Sequence, residues 1–384
     1  MKKNQSIIFL DGLRGLAALY VMIGHARWLL WEGWGAFRQH PDQYSAFEKM
    51  EVYFFSLFKY GHEAVLFFFV LSGFVIHLKQ AKTIAAGKLP SLNGYFVRRV
   101  KRIMPPFLFA LLLTFVCDKA AQFMDASIYH KVTPDVVANT NISFDHSLLT
   151  LAGNLFFFQN TYVPVFGSNA PLWSLKYEWW FYMLYPILLL LNKRSVIGSF
   201  CLVAILSMLS LLGWSWSIKL IDEVLAYFFC WWLGCLTADV YAGRLKIHPV
   251  LFVLGTALLA FIPINSIFTV AAVKDTVIAI GFWGLLNLLL LLNSRGVSFP
   301  LLGKLKPLGD CSYTLYVIHL PLLVLMNGLV LKNTQNVLPT SMLFVWLSVF
   351  VILILSYLIH LFIERPFTGK SGIKPELMDR SVAA

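Results

Sequence analysis

Charged residues are scarce in this sequence. Only 13% of its 384 residues are Asp, Glu, Lys or Arg, whereas 59% are hydrophobic. A soluble domain has roughly a quarter charged residues and about half apolar ones. The composition therefore excludes an ordinary soluble globular domain and predicts an integral membrane protein.

Motifs for metal, nucleotide and redox chemistry are also missing. The sequence contains no HExxH, Walker or GxGxxG pattern. Its five cysteines show no metal-ligand or redox spacing and lie in or beside apolar segments, as buried small hydrophobic residues do. No small-residue cleavage site follows the first hydrophobic run, so we interpret that run as an uncleaved first span. We expect no metal site.

Apolar runs suited to helices recur along the whole chain. A transmembrane helix needs about 20 mostly apolar residues. The run at 147–159 is too short for this, so we expect a re-entrant or interfacial helix there. We predict an all-α, polytopic integral membrane protein with about ten transmembrane helices plus this short helix. The runs lie at about 8–30, 62–78, 95–116, 147–159, 173–191, 195–213, 220–240, 249–264, 275–292, 308–330 and 342–363.

The basic residues indicate the orientation of the chain. A net charge of +12 could suggest nucleic acid, but the lysines and arginines cluster in alternate connections, as the positive-inside rule predicts. We therefore expect both termini in the cytoplasm and no nucleic-acid partner. If 147–159 crossed the membrane, this bias would reverse. The cytoplasmic groups are Lys2 and Lys3; Lys79, Lys82, Lys88, Arg98, Arg99, Lys101 and Arg102; Lys193 and Arg194; Arg244 and Lys246; Arg295, Lys304 and Lys306; and Arg365, Lys370, Lys374 and Arg380.

The chain shows one long membrane domain and a short tail. We place the domain at residues 1–370 and the basic cytoplasmic tail at 371–384. Two outer connections are long, at about 31–60 and 117–146. The first is rich in aromatic residues and the second contains several aspartates, but neither is long enough to form a separate domain.

The first span, 7–30, contains four polar residues: Asp11, Arg14, His25 and Arg27. A charge near the centre of a span costs about 2.5–3.5 kcal/mol on insertion scales, so such residues indicate a cavity or site. Arg14 and His25 are about three helical turns apart and therefore point the same way, with Asp11 one turn before Arg14. The alternative is a ragged helix end with a snorkelling arginine, but this fits His25 poorly because it lies among apolar residues.

A second candidate is the basic run at 98–102. Arg99 and Arg102 lie one helical turn apart on one face, whereas Arg98 and Lys101 fit an ordinary positive flank. The prolines at 105–106 are expected to interrupt the helical hydrogen bonds and to open a cavity there. Two guanidinium groups at such a cavity suit a phosphate-bearing ligand.

A third candidate lies at 169–186, where Trp173, Glu178 and Tyr182 occupy the outer part of a span. An aromatic belt at the membrane surface explains the tryptophan and the tyrosine. It does not explain Glu178, which is costly in a membrane unless it is paired or protonated. Lys176 is a poor partner because two residues on a helix diverge.

Two further candidates occur near the end of the chain. In 308–321, Tyr313, Tyr316 and His319 share one helix face. An intramembrane histidine indicates function, although a hydrogen-bonded core histidine is the alternative. At 363–366, Glu364 and Arg365 fit an ion pair at a helix end. The remaining histidines, to which we assign no chemistry, are His40, His62, His77, His130, His146, His248 and His360.

Six motifs follow one another in a characteristic order. They are FLDGLRGLAALYVMIGH, FFFVLSGFVI, YFVRRVKRIMPPF, PLWSLKYEWWFYMLYP, CSYTLYVIHLP and IERPF. Together they resemble the acyltransferase-3 family of bacterial membrane O-acyltransferases over about residues 9–367. The most specific feature is the pair formed by Arg14 and His25, followed by the pair formed by Arg99 and Arg102.

The resemblance implies a multi-pass enzyme of the bacterial inner membrane. It would move an acetyl or other short acyl group from cytoplasmic acyl-CoA to a hydroxyl of an outer acceptor. The acceptor would be a lipid-linked sugar or a glycan such as lipopolysaccharide O-antigen or exopolysaccharide. Acetyl-CoA would be the donor, with no metal. Some members carry an additional extracytoplasmic hydrolase-like domain, and we expect that this chain lacks it.

Roles for the candidate residues follow from the residues and the resemblance together. His25 would act as a general base or accept the acyl group covalently, Arg14 would steady the donor or the oxyanion, and Asp11 would orient Arg14. Arg99, Arg102 and Ser72 would bind acyl-CoA. Glu178, Trp173 and Tyr182 would hold the acceptor, and His319 with Tyr313 would be a reserve oxyanion donor.

Two other classes of function use similar residues. A transporter or flippase of an acylated lipid or glycan also places Arg, His and Glu in the membrane, but no inverted repeat is visible. A glycan ligase or polymerase needs longer outer connections than the two in this chain. The sequence does not identify the acceptor, the acyl chain length or the oligomeric state.

Overall fold

The computed structural model describes residues 7–214, 216–264, 268 and 270–368. Within these ranges the chain is helical and contains no β-strand, which confirms the all-α class. The predicted termini, the tail and its boundary at 370 lie outside the described residues. The helices are α1 Phe9–Leu30, α2 Gly33–Gln39, α3 Ala46–Ser56, α4 Gly61–Ala85, α5 Tyr95–Phe123, α6 Val136–Asn141, α7 Leu148–Leu155, α8 Trp173–Arg194, α9 Val196–Leu211, α10 Lys219–Tyr241, α11 Pro249–Ala257, α12 Ala271–Ser294, α13 Pro300–Lys304, α14 Lys306–Asp310, α15 Ser312–Asn333, α16 Leu343–Ile359 and α17 Arg365–Thr368, with a π-helical turn at His360–Glu364 between the last two.

Six helices in the described part of the chain are long and apolar enough to cross a membrane. They are α4, α5, α10, α12, α15 and the continuous segment from α16 to α17. Helices α1 and α8 have 22 residues each but are more polar, while α9 has 16 residues and α11 has 9. The protein is therefore a multi-pass membrane protein, and the count of ten spans stays a prediction.

Helix α7 occupies the short apolar run that we expected not to cross the membrane. Its 8 residues extend over about 12 Å, less than half of the roughly 30 Å hydrocarbon core. Ser147 caps the helix by accepting from the backbone N–H of Thr150 at 3.2 Å. The Thr150 hydroxyl and the Ser147 N–H also donate to Asp145 and thereby lower the pKa of that carboxyl. By itself α7 is too short to be a transmembrane helix.

Helix α5 continues through its two prolines. It runs for 29 residues with Pro105 and Pro106 inside it, so the hydrogen bonds that the prolines remove do not end the helix. Proline still removes two backbone donors, but membrane helices tolerate this when neighbouring helices satisfy the backbone. Close to the prolines, the hydroxyl of Tyr313 on α15 donates to the Ile103 carbonyl at 3.1 Å.

Helices α4 and α10 cross at a very short distance. A Cβ on Gly73 would lie 2.0 Å from the Trp231 carbonyl oxygen, and one on Gly234 would lie 1.9 Å from that of Val70. Small residues allow this close approach between membrane helices. At the same crossing the Trp231 indole donates to Ser72 Oγ at 3.3 Å. The crossing therefore positions one wall of the cavity described below.

Replacing Gly234 by alanine tests this crossing. Gly234→Ala should lower the melting temperature of the purified protein by several degrees, since overpacking costs about 1–3 kcal/mol. Gly35→Ala is the matched control because nothing lies within 4 Å of its Cβ position, and alanine favours a helix. The melting temperatures of both variants are measured in detergent, with size-exclusion chromatography reporting the folded fraction after heating. A Gly234→Ala protein as stable as the control would contradict this packing.

Candidate active site

A cavity of about 140 Å³ lies between α1, α4, α5, α8 and α15. It brings together residues from five separate sequence motifs. Apolar side chains such as Val65 and Phe69 form much of its wall. Asp11, His25, His319 and Trp173 do not line it. The predicted site residues that do are Arg14, Ser72, Arg99, Arg102, Glu178, Tyr182 and Tyr313.

Arg99 and Arg102 face this cavity from α5, whereas Arg98 and Lys101 are exposed. The Arg99 guanidinium lies 5.7 Å from the Tyr182 ring centre, a cation–π distance. Its Nε atom is buried and has no hydrogen-bond partner. Arg99 also forms no ion pair with any residue that the structure describes. The cavity therefore contains a cation whose hydrogen-bonding capacity is not used by the protein.

Arg102 is paired with a carboxylate from the far end of the chain. Glu364 forms an ion pair with Arg102, so the expected pair between Glu364 and its neighbour Arg365 is wrong. Glu364 is fully buried and also accepts from Thr314 at 2.6 Å, with His360 at 3.0 Å. It lies in the π-helical turn, and such turns are frequent at functional sites.

Glu178 is held by hydroxyl groups. It accepts from Ser72 at 3.0 Å and from Tyr182, and all three residues line the cavity. Its neighbour Lys176 points elsewhere and pairs with Glu223 at 2.6 Å. The divergence of Lys176 from Glu178 is therefore confirmed. Glu178 and Tyr182 share the cavity with the two arginines.

Arg14 links α1 to the start of α15. Its guanidinium donates to the Gly309 carbonyl at 2.7 Å and to Ser312 Oγ at 3.0 Å, and it pairs with Asp11 at 3.3 Å. Gly309 allows the close approach, since a Cβ there would lie 2.1 Å from the Asp11 carbonyl oxygen. Arg14 lines the cavity, and its Nη1 atom has no hydrogen-bond partner among the described residues.

His25 contacts His319 across the same helix pair. Nδ1 of His25 lies 2.8 Å from Nε2 of His319, and the two rings are nearly parallel. Nδ1 of His319 lies 2.8 Å from the Tyr316 carbonyl oxygen. Arg14 and His25 thus both face the segment 309–319, as their spacing predicts. Nε2 of His25 has no hydrogen-bond partner in the described chain, and the residue is half-buried.

The tyrosines of α15 lie between the arginines and the histidines. Tyr313 faces Arg102 at 5.8 Å, and Tyr316 bonds with Ser174 at 2.7 Å. The Tyr316 ring lines the cavity and also contacts the His319 ring, with 5.9 Å between the centres. Tyr316 therefore separates the cavity from the histidine pair.

A second pocket, of about 640 Å³, lies beyond the last turn of α1. Trp28 lines this pocket, and its ring centre is 6.1 Å from that of His25. The histidine pair is thus separated from one cavity by Tyr316 and from the other by Trp28. The two cavities lie on opposite sides of the pair along α1.

Trp173 lies apart from the other predicted residues. Its ring stacks on His62 with 5.5 Å between the centres, and His62 bonds with Asp275 at 2.9 Å. Asp275 also accepts from Tyr227 at 2.9 Å. This cluster was not predicted, because its members come from four different helices and share no local spacing.

The sequence analysis also did not predict a second buried polar network, which is centred on His77. His77 is fully buried and bonds with Asp239 at 3.0 Å and with Tyr185 at 2.8 Å. Asp239 in turn pairs with Arg244. The network joins α4, α8 and α10. A histidine at the end of the apolar run 62–78 was the available signal for it.

Metal ligation finds no support in the structure. Among the described residues, no group of three or more His, Cys, Asp or Glu side chains could hold a metal ion. The site residues that come together are instead cations, carboxylates, hydroxyls and imidazoles. This donor set suits binding of an anionic ligand and proton transfer.

The sequence comparisons bear on the same residues. An acyltransferase domain family matches residues 7–361, which include every residue lining the cavity. A Staphylococcus aureus (strain COL) relative, provisionally assigned as an O-acetyltransferase, is 26% identical over 401 aligned residues that cover 97% of this chain. A Bacillus subtilis (strain 168) relative, provisionally assigned as a peptidoglycan O-acetyltransferase, is 28% identical over 155 residues.

These relatives are longer than this chain. The alignments cover 59% of the Staphylococcus aureus protein, and 39% of this chain with 23% of the Bacillus subtilis protein. No solved structure matches the chain. The family match extends over nearly all of the described residues, and the chain therefore belongs to the acyltransferase-3 family of membrane proteins.

Proposed function

We propose that this protein transfers an acetyl or other short acyl group from cytoplasmic acyl-CoA to a hydroxyl of an extracytoplasmic glycan. The family match and the provisional assignments of the relatives support the reaction. The observation that carries the proposal is the pair formed by His25 and His319. It leaves one imidazole nitrogen free to act as a base, at a position between two cavities.

The hydrogen bonds determine which nitrogen is free. Carbonyl oxygens only accept, so Nδ1 of His319 carries a hydrogen and donates to the Tyr316 carbonyl. In the neutral ring Nε2 of His319 is then an acceptor, and it receives the hydrogen on Nδ1 of His25. Nε2 of His25 consequently holds a lone pair. Both nitrogens of His319 are engaged, so we assign it to positioning His25 and not to binding an oxyanion.

The lone pair on His25 supports two routes. As a general base, Nε2 takes the proton of the acceptor hydroxyl while the oxygen attacks the thioester carbonyl. The C–O bond forms, the C–S bond breaks, and the imidazolium returns the proton to the CoA thiolate. In the covalent route Nε2 attacks first and gives an acyl-imidazolium and the thiolate. Attack by the hydroxyl then restores the imidazole and releases the proton that neutralises the thiolate.

We assign the cavity containing the arginines to the acyl donor. Arg99 has no ion pair within the described residues, and Arg102 shares its charge with Glu364. Phosphates of CoA can therefore bind Arg99 directly. Because Glu178 and Tyr182 lie beside Arg99, we move both from acceptor binding to the donor cavity, where Ser72 keeps its proposed role in donor binding. Trp173 lies outside the cavity and is kept as a candidate acceptor contact.

Arg14 and Asp11 have a positioning role in this mechanism. Two nitrogens of Arg14 donate to Gly309 in α14 and to Ser312 at the start of α15, the helix that carries His319. The third, Nη1, is available for the acyl donor. Tyr313 uses its hydroxyl on the Ile103 carbonyl. It is therefore a wall residue of the donor cavity and not an oxyanion donor.

The proposed orientation follows from the charges in the sequence. We place both termini in the cytoplasm and the protein in the bacterial inner membrane. The acceptor is a hydroxyl-bearing glycan or lipid-linked sugar, with lipopolysaccharide O-antigen, exopolysaccharide and peptidoglycan as candidates. The last is suggested by the assignment of the Bacillus subtilis relative. A transporter or flippase of an acylated lipid or glycan is the alternative, and the next experiment separates the two.

Labelled acetyl-CoA tests the reaction and the role of His25. Purified protein with radiolabelled acetyl-CoA should move label to an added glycan acceptor or onto itself. His25→Ala should lower this transfer by at least about a hundredfold, as expected for loss of a general base. His130→Ala, a loop histidine with an exposed side chain, should leave it unchanged. Label that stays on CoA with the wild-type protein would favour transport, and an active His25→Ala protein would exclude both routes.

Neutral substitutions on α5 test donor binding. Arg99→Ala should raise the KM for acetyl-CoA about tenfold or more, because it removes charge-assisted bonds to phosphate. Arg102→Ala alone would leave the buried Glu364 without its arginine partner, so it is combined with Glu364→Gln. The double variant Arg98→Ala with Lys101→Ala is the control, since both residues are exposed on the same helix. A KM unchanged by Arg99→Ala would move the phosphate site elsewhere.

A further inference from the structure

The second pocket is built by three connections that are distant in sequence. The last turn of α1 and helix α2 form one side, the segment around Asp135 forms another, and the segment around Asn336 closes it. Hydrogen bonds hold these connections together: Glu32 N–H donates to the Pro339 carbonyl at 3.2 Å, and the Asn336 amide donates to the Val132 carbonyl at 2.9 Å. At about 640 Å³, it falls in the size range of small-molecule sites, roughly 300–1,000 Å³.

Aromatic side chains give this pocket flat apolar surfaces. Three tryptophans line it: Trp28, Trp31 and Trp34. Trp31 is buried, Trp28 is half-buried, and Trp34 is 38% exposed. An indole offers a large rigid face at little entropic cost. Such a face matches the C–H face of a sugar ring, whose hydroxyls remain at the rim.

The polar groups of the pocket favour a neutral, hydroxyl-bearing ligand. Arg27 has no ion pair within the described residues, and its Nε donor is buried without a partner. Asn336 Oδ1 is a buried acceptor without a partner. A hydroxyl group can satisfy both, because it accepts and donates. An anion could satisfy only Arg27, and the carboxylates of Glu32 and Asp135 in the same wall oppose it.

The position of the pocket relates it to the proposed base. Trp28 lies one turn beyond His25 on α1, about 4.5 Å along the helix axis. Its ring faces both the pocket and His25, 6.1 Å from the imidazole centre. A sugar bound against Trp28 would therefore be separated from the imidazole by this one aromatic ring. The donor cavity lies on the other side of the histidine pair.

We propose that this pocket binds a neutral sugar ring of the acceptor glycan and so determines the acceptor specificity of the enzyme. The ring stacks on Trp28 or Trp34, and its oxygens bond with Arg27 and Asn336. This inference rests on the proposed transfer reaction for its biological role. Binding of the sugar itself requires no donor and can be measured separately.

Oligosaccharide binding tests the proposal without acyl-CoA. Wild-type protein in nanodiscs is titrated with chitotetraose and cellotetraose by isothermal titration calorimetry, with tri-galacturonate and inorganic phosphate as anionic probes. At least one neutral oligosaccharide should bind. Arg27→Gln and Trp34→Ala should each weaken that binding about tenfold or more, as expected for removing a charged hydrogen-bond donor or a stacking surface.

Two matched controls accompany these variants. Arg38→Gln changes an exposed arginine of α2 that does not line the pocket, and Trp214→Ala removes an indole that is 60% exposed far along the chain. Both control variants should bind the neutral oligosaccharide with the same affinity as the wild-type protein. Since the Trp34 side chain is exposed, Trp34→Ala keeps the test valid even if Arg27→Gln fails to fold.

Three outcomes would overturn the proposal: no neutral oligosaccharide binds, only tri-galacturonate or phosphate binds, or the two pocket variants bind as tightly as their controls. In the transfer assay the pocket variants should raise the KM for the acceptor more than they lower kcat. Acyl transfer that these variants do not affect would refute the acceptor-binding role of the pocket but not the proposed reaction. Sugar binding by a protein that shows no acyl transfer would refute the proposed reaction but not the sugar-binding role of the pocket.

Discussion

The contact between α1 and α15 is the constraint on which the rest of the structure depends. Three polar contacts fix the register of these helices: Arg14 with Ser312 at 3.0 Å at one end, His25 with His319 in the middle, and Asn327 with the Leu29 carbonyl at 2.6 Å at the other end. Polar groups in an apolar environment are costly when they lack partners. A shift of one helix along the other would break all three contacts together.

This register also decides the chemistry. With α1 and α15 in place, the pair of imidazoles lies between the proposed donor cavity and the second pocket. Tyr316 lies between the pair and the donor cavity, and Trp28 lies between the pair and the second pocket. Tyr316 belongs to α15 and Trp28 to α1, so the same two helices supply the proposed base, the residue proposed to position it and both separating side chains. Close α4–α10 packing holds the opposite wall of the donor cavity.

Local spacing in the sequence was sufficient to find faces of helices, but not partners. It separated Arg99 and Arg102 from Arg98 and Lys101, because helical periodicity is a local property. It could not show that Glu364 pairs with Arg102, since that contact depends on how two distant helices pack. The second pocket was invisible for the same reason: its walls come from three connections that meet only in the folded chain. Four of the ten predicted spans are not among the six clear ones, because α1 and α8 contain polar residues and α9 and α11 are short.

The central claim is that a donor on the cytoplasmic side and an acceptor on the other side meet at His25. Sealed everted membrane vesicles test it directly, because their cytoplasmic face is outward and acetyl-CoA does not cross the bilayer. Radiolabelled acetyl-CoA is added outside vesicles that contain chitotetraose or cellotetraose in the lumen. We predict labelled oligosaccharide inside the sealed vesicles. Label that reaches the oligosaccharides only when they share the outer side with acetyl-CoA would contradict the claim.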